Sequence, residues 1–141
     1  DRRVVHGRPV AARLTSVPGS SDVFVGGVVA YSNGVKAREL GVPEATLERF
    51  GAVSEEAAEA MTAGARERLG ADVAVSVTGV AGPGGGTPEK PVGLVFLYAQ
   101  GPSGSLARRL DFPGDREAIR GRATAAALHL VRTLLSQSHD A

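Results

Sequence analysis

Apolar positions recur along this chain with two periods, and the change from one to the other outlines the elements. Val10 to Thr15, "VAARLT", has a short helical spacing that stops at "SVPGSSD". Val23 to Tyr31, "VFVGGVVAY", is β-branched and aromatic and predicts a strand, with Gly26 and Gly27 admitting a close backbone neighbour. A turn at Ser32-Asn33-Gly34 leads to a short helix over Val35 to Leu40. Pro43 suits the start of a helix that runs to Phe50 and stops at Gly51. Ser54 caps the next helix, Glu55 and Glu56 occupy its first turn, and Gly70 ends it. Ala57, Met61, Ala65 and Leu69 make its apolar stripe. Period two returns in Asp72 to Val77, a nearly continuous apolar run that predicts a central strand. Further strands are expected over Val92 to Ala99 and, as an edge with Arg108 and Arg109, over Leu106 to Phe112. Asp115 caps the last helix, whose core face is Ile119, Ala123, Ala126, Ala127, Leu130 and Leu134. The tail after Gln137 is expected to fray. This order predicts one α/β domain across residues 1–141, with helices covering a largely buried sheet.

Composition narrows the functional classes. With 43% apolar and 22% charged residues the chain has a globular composition, not a disordered one. A net charge of +1 supplies no overall attraction to nucleic acid or an anionic membrane. The absence of cysteine removes disulfides and thiolate zinc sites, and His6, His129 and His139 have no metal spacing. No apolar run reaches membrane-spanning length, so a soluble, cytoplasmic protein is expected, with no metal and no cofactor. The first residue is Asp1 rather than Met, compatible with a fragment or an incomplete gene product.

Three stretches carry candidate chemistry. "VTGVAGPGGGTPEKPVG", Val77 to Gly93, concentrates glycine and proline between two apolar runs. It is not a P-loop, because Lys90 lies between Glu89 and Pro91. It is not a dinucleotide fingerprint, because a strand and not a helix follows it. A long hairpin connection is the plain reading. Against it, Thr78 sits at a strand end, glycine-rich backbone can form an anion-binding concavity, and Pro83, Pro88 and Pro91 stiffen the loop. In "YSNGVK", Tyr31 to Lys36, a surface turn is the plain reading; the functional one puts a phenol, an amide and an ammonium at a sheet edge. In "FPGDREAIR", Arg116 and Arg120 share one face at a helix N-terminus. Cations there oppose the helix dipole at a cost of about 0.3–1 kcal/mol each when exposed. Either Asp115 and Glu117 compensate, or the arginines and the helix end bind an anion.

"ARLTSVPGSSDVFVGGVVAYSNGVKARELGV", "GAVSEEAAEAM", "GADVAVSVTGVAGPGGGTPEKPVGLVFLY" and "FPGDREAIRGRA" together closely resemble the CinA C-terminal domain family. The resemblance runs from about Ala11 to the last helix. It implies a three-layer α/β/α domain with a central mixed sheet, often a homo-oligomer, sometimes fused to a molybdopterin-binding-like domain. The family includes nicotinamide-nucleotide amidohydrolases. The resemblance therefore implies hydrolysis of nicotinamide mononucleotide to nicotinic acid mononucleotide and ammonia without a metal. By position it places Tyr31, Asn33, Lys36, Thr78, Gly79 and Arg116 around the substrate, with Gly82 in the loop that shapes the nucleotide pocket. Lys36 would be the base, assisted by Tyr31.

One block departs from the family. The family carries Glu-Ser-Cys-Thr-Gly-Gly near this start, and its serine is the expected nucleophile. Here the chain reads "DRRVVHGRPVAARLT", and without a gap Val4 falls at the serine. Residues 1–9 are accordingly expected to be irregular. The string Asp-Arg-Arg-Val-Val-His-Gly-Arg-Pro can be encoded so that the frame one base later reads Thr-Ala-Glu-Ser-Cys-Thr-Gly-Gly. A change of frame restored near Pro9 or Val10 is the expected origin of the substitution, with a sequencing error, a decaying gene and a real compensated frameshift all giving the same string. Two outcomes remain open, an amidohydrolase impaired by loss of its serine and a non-catalytic nucleotide-binding or structural member of the family.

Overall fold

The computed structural model of the chain describes residues 8–139. The strand pattern around Leu94 to Gly101 explains its centre. In this strand Val95, Leu97 and Ala99 alternate with Phe96 and Tyr98, and both sets are largely buried. A strand buried on both faces needs a helix on each. It is the middle strand of the sheet β1-β2-β3, formed by β1 (Ala74–Gly79), β2 (Leu94–Gly101) and β3 (Gly104–Asp111). Helix α5 (Arg116–His139) covers the face of Val77, Val95, Leu97 and Ala99 with Ile119, Ala123, Ala127, Leu130 and Leu134. Helix α4 (Glu55–Leu69) covers the other face, where the Thr62 hydroxyl donates to Ser76 Oγ at 2.7 Å and lies 3.2 Å from the Tyr98 carbonyl oxygen. The three-layer α/β/α arrangement is the expected one.

Both pairings are antiparallel, Val77 opposite Leu97 and Leu97 opposite Arg108. This differs in one respect from the expected mixed sheet. Among the described residues β1 is an edge strand rather than a central one, and β3 is an edge as expected. The reason lies in Val23 to Tyr31. This segment has the burial alternation of a strand, with Ala30 buried and Val25 and Tyr31 exposed, but it joins no ladder. A groove of about 690 Å³ separates Val23–Val28 from the outer edge of β1. Its lining is largely apolar and includes Val10, Leu14, Met61 and Val75. β-Propensity describes how a residue fits a pleated surface, and pairing needs a neighbour at about 4.8 Å.

The helix ends obey local rules. α1 spans Arg8–Thr15, so Arg8 and Pro9 open a helix instead of belonging to an irregular stretch; proline is tolerated in a first turn because the N–H it lacks has no partner there anyway. The rest of the expected irregular stretch lies outside the described residues. α2 (Asn33–Leu40) starts two residues before the expected Val35, because the Ser32 hydroxyl accepts the Val35 N–H at 3.1 Å. α3 covers Glu44–Phe50, and Ser54 and Asp115 cap α4 and α5 through Ala57 N–H and Ala118 N–H. α5 continues past Gln137 to His139, where fraying was expected. No helix among the described residues is long and apolar enough to cross a membrane.

The second core lies between α2, α3 and α4 and holds Ala30, Leu40, Val42, Leu47, Ala57 and Met61. Its closest approach is at Gly64. The buried face of α4 holds the expected Ala57 and Met61 together with Ala58, Thr62 and Gly64, while Ala65 and Leu69 are half-buried, so the face is wider than the expected stripe. A Cβ on Gly64 would stand 1.7 Å from the Leu40 carbonyl oxygen. In an ordinary helix interior Gly→Ala stabilises by about 0.5–1 kcal/mol. Here the backbone of Leu40 has no room to yield, and overpacking costs about 1–3 kcal/mol or more. Gly64→Ala is expected to lower the urea midpoint at unchanged slope; a higher midpoint would mean that α2 and α4 separate freely.

Candidate functional site

The glycine loop is a strand-to-strand connection held at both feet. Val80 N–H donates to Leu94 O and Gly93 N–H to Val80 O, extending the β1–β2 ladder. Beyond these bonds the chain arches outward, with Ala81 and Gly82 buried and 83–89 exposed. Gly82 has φ +79°, and a Cβ there would lie 2.6 Å from Val92 Cγ1. Gly79 admits no side chain either, because a Cβ would meet Leu94 O at 2.7 Å. Both glycines are therefore required by backbone conformation or packing, whatever else they do. The N–H groups of Gly82, Gly84, Gly85 and Gly86 donate to no acceptor among the described residues. Those of Gly84 to Gly86 lie in the exposed part of the loop, and glycine backbone of this kind can form an anion-binding concavity.

Arg116, the first residue of α5, closes on this arch. Its Nη1 donates to Gly82 O at 3.1 Å, which sets the guanidinium against the loop. One bond leaves other guanidinium donors in a half-buried position. Arg120, one turn on, has a buried Nε without a partner.

Thr78 sits differently from the expectation. Its side chain is 0% exposed, and Oγ1 donates to Ala52 O at 2.7 Å. The hydroxyl expected to face a small molecule instead ties β1 to the connection between α3 and α4. The alternation of strand faces decides this: Ser76 and Thr78 lie on the α4 side and Val77 on the α5 side.

The "YSNGVK" block divides between surface and interior. Tyr31 is 43% exposed and Asn33 is exposed at the start of α2. Lys36 is 0% exposed, which the plain surface-turn reading does not anticipate. Its Nζ donates to Ala30 O at 2.8 Å. Burial holds the Lys36 ammonium below its ordinary value, since an apolar setting disfavours the charged form. Ala30 and Ala52 both belong to or border the α2–α4 core, so the Lys36 and Thr78 anchors share one wall.

Sequence reasoning did not single out the stretch that receives these anchors. Phe50 O accepts from Lys90 Nζ, Gly51 O from Ser54 Oγ at 2.8 Å, and Ala52 O from Thr78 Oγ1. The only local signal there is Gly51, read as a helix stop. The large apolar groove beside β1 is lined by none of Tyr31, Asn33, Lys36, Thr78, Gly79, Gly82 or Arg116. No group of three His, Asp or Glu side chains positioned for a metal occurs among the described residues.

Comparison with known proteins bears on the family and the fold. The family described as the CinA C-terminal domain matches residues 6–135. A CinA-like protein of Mycolicibacterium paratuberculosis is 57% identical over 134 residues, covering 92% of this chain and 31% of the relative. One from Parasynechococcus marenigrum is 55% identical, covering 91% of this chain and 30% of the relative. The chain thus spans under a third of the length of these relatives. The crystal structure of competence/damage inducible protein CihA from Agrobacterium tumefaciens superposes with a TM-score of 0.84 at 42% identity, covering 92% of this chain and 78% of that one. A CinA superfamily protein from Klebsiella pneumoniae 700603 gives 0.88 at 31% identity, over 93% of this chain and 82% of that one. With the family matched across nearly the whole sequence and the fold shared with solved members, the chain belongs to the CinA C-terminal domain family.

Proposed function

We propose that this domain is of the nicotinamide-nucleotide amidohydrolase kind: it binds nicotinamide mononucleotide at the glycine arch and, as written, has lost turnover. The observation that carries the reading is Lys36, a lysine that is 0% exposed and whose amine lies 2.8 Å from a backbone carbonyl. A buried ammonium is costly unless it is paired or gives up its proton, and a lysine held below its ordinary value by burial is suited to general-base work. In serine-dependent amide hydrolysis the hydroxyl attacks the carboxamide carbon and a base takes its proton. Backbone N–H groups hold the developing oxyanion, ammonia leaves with a proton returned by the base as the C–N bond breaks, and water deprotonated by the same base then cleaves the acyl-serine ester to give the carboxylate and restore the hydroxyl. Lys36 fits the base, Tyr31 and Asn33 stand at the exposed rim of its helix, and the arch with Arg116 suits the phosphate. The nucleophile is the missing part. The family resemblance puts a serine where this sequence has Val4, and a valine side chain has no oxygen with which to attack.

The same valine favours the second reading, a member that binds the nucleotide and leaves it intact. Incubation with nicotinamide mononucleotide is expected to release no ammonia above the protein-free control, while calorimetry detects binding. Turnover would overturn the loss of activity, and absence of binding would remove the nucleotide site itself. Arg116→Ala is expected to weaken mononucleotide binding about 10- to 100-fold, from about 1.5–3 kcal/mol for a hydrogen bond to a charged group. Binding of nicotinamide riboside, which lacks the phosphate, should change little. Equal losses for both ligands would confine Arg116 to its bond with Gly82.

Lys36 adds a dependence on pH. Its folded value is lowered by burial from the ordinary 10.5, so in the intervening window the unfolded chain binds the proton and the folded one does not. Stability contributed by this group therefore rises with pH across that window and levels off above 10.5. Urea midpoints of the wild type minus those of Lys36→Met should increase with pH there. A flat difference would show that Lys36 titrates as an exposed lysine does.

A further inference from the structure

The two ends of the glycine loop meet one short piece of backbone. Thr78, just before the loop, donates to Ala52 O at 2.7 Å. Lys90, near its far end, donates through Nζ to Phe50 O. Phe50 is the last residue of α3, and its carbonyl is one of those a helix C-terminus leaves without an intrahelical partner. An ammonium there satisfies the carbonyl and lies at the favourable end of the helix dipole. Space is made for it at Gly51, where φ is +81° and a Cβ would lie 2.8 Å from Lys90 Nζ. Lys90 is also locked into the loop's outer limb. Thr87 N–H donates to Lys90 O at 2.9 Å, and Lys90 N–H donates to Thr87 Oγ1 at 3.0 Å. The outer limb is thus a closed turn whose last side chain reaches across to α3.

We propose that Lys90 is a positioning residue for the anion-facing arch: by joining the Thr87–Lys90 turn to the end of α3, it holds the free N–H groups of Gly82 to Gly86 in one arrangement. Arg116 holds the inner limb through Gly82 O, so the arch is secured on both sides. Glycine backbone has the most conformational freedom to lose, and an arch fixed before the ligand arrives avoids that loss on binding. Lys90 therefore raises nucleotide affinity without contacting the nucleotide. The effect on affinity rests on the proposed nucleotide site; the effect on the arch does not.

The test compares Lys90→Met, which keeps the stem and loses the donor, with Lys90→Arg, which keeps a donor. Amide ¹⁵N relaxation of the ligand-free protein reads the arch directly. Order parameters of Gly84 to Gly86 are expected near the rigid limit of about 0.85 in the wild type and below about 0.6 in Lys90→Met, with substantial recovery in Lys90→Arg. Strand amides of β1 and β2 should not change. Calorimetry with nicotinamide mononucleotide should show about 10-fold weaker binding in Lys90→Met and partial rescue in Lys90→Arg. An arch equally rigid in Lys90→Met overturns the inference. So does weaker binding with no loosening, which would make Lys90 a direct phosphate contact. If the wild type binds no nicotinamide mononucleotide, the proposed function fails, and the order parameters alone decide the role of Lys90.

Discussion

β2 is buried on both faces, and the rest of the architecture answers that constraint. Val95 and Leu97 are almost fully inaccessible on one side, and Tyr98 is buried on the other. Removing a buried leucine side chain from such a position typically costs about 2–5 kcal/mol, so neither face can be left to water. α5 meets the first face with a largely apolar surface around Ile119 and Leu130. α4 meets the second with a mixed one. Thr62 donates to Ser76 Oγ, and Ser76 Oγ donates to Ala58 O at 2.6 Å. Hydrophobic contact is indifferent to small slips along a helix, whereas buried hydroxyls need partners at set distances. That network gives α4 its register on the sheet.

From that register the candidate site follows. With α4 placed, Gly64 allows the Leu40 backbone to approach closely, so α2 and the core around Ala30 come against α4. This buries Lys36 and directs its amine to Ala30 O. The same placement carries the connection between α3 and α4 under the end of β1, where its carbonyls accept from Thr78, Ser54 and Lys90. A loop with little core of its own thereby becomes an arch on fixed supports. The arch offers exposed glycine N–H groups on one side and Arg116 on the other, in a protein whose net charge is only +1.

The groove beside β1 is the largest departure from a fully covered sheet. Its walls are the outer edge of β1 and the extended segment Val23–Val28, and its lining is mostly apolar. Val23 and Val25 are 81% and 61% exposed, well above what a strand in a covered sheet displays. The segment nevertheless packs Ala30 into the α2–α4 core, with Val28 against it. It is therefore held by its side chains on one face and not by a ladder.

The sequence by itself determined what depends on neighbours along the chain. The starts of α3, α4 and α5 were legible at Pro43, Ser54 and Asp115, and the stops of α3 and α4 at Gly51 and Gly70, because caps and left-handed glycines act over one helical turn. The three strands of the sheet were legible within about two residues, because alternation is a local property. Motif blocks distinctive enough to carry a family resemblance were legible too. Tertiary structure alone decided which edges pair, so β1 stands beside a groove although its apolar run suggested a central place. It decided that Thr78 turns its hydroxyl to Ala52 and not to a ligand, since the face of a strand residue depends on what the sheet packs against. It decided that Lys36, which the sequence offered as a base without fixing its burial, is buried, and that Lys90, Phe50 and Thr78, far apart in sequence, meet at one backbone segment. Burial and long-range hydrogen bonds depend on distances that no local pattern encodes.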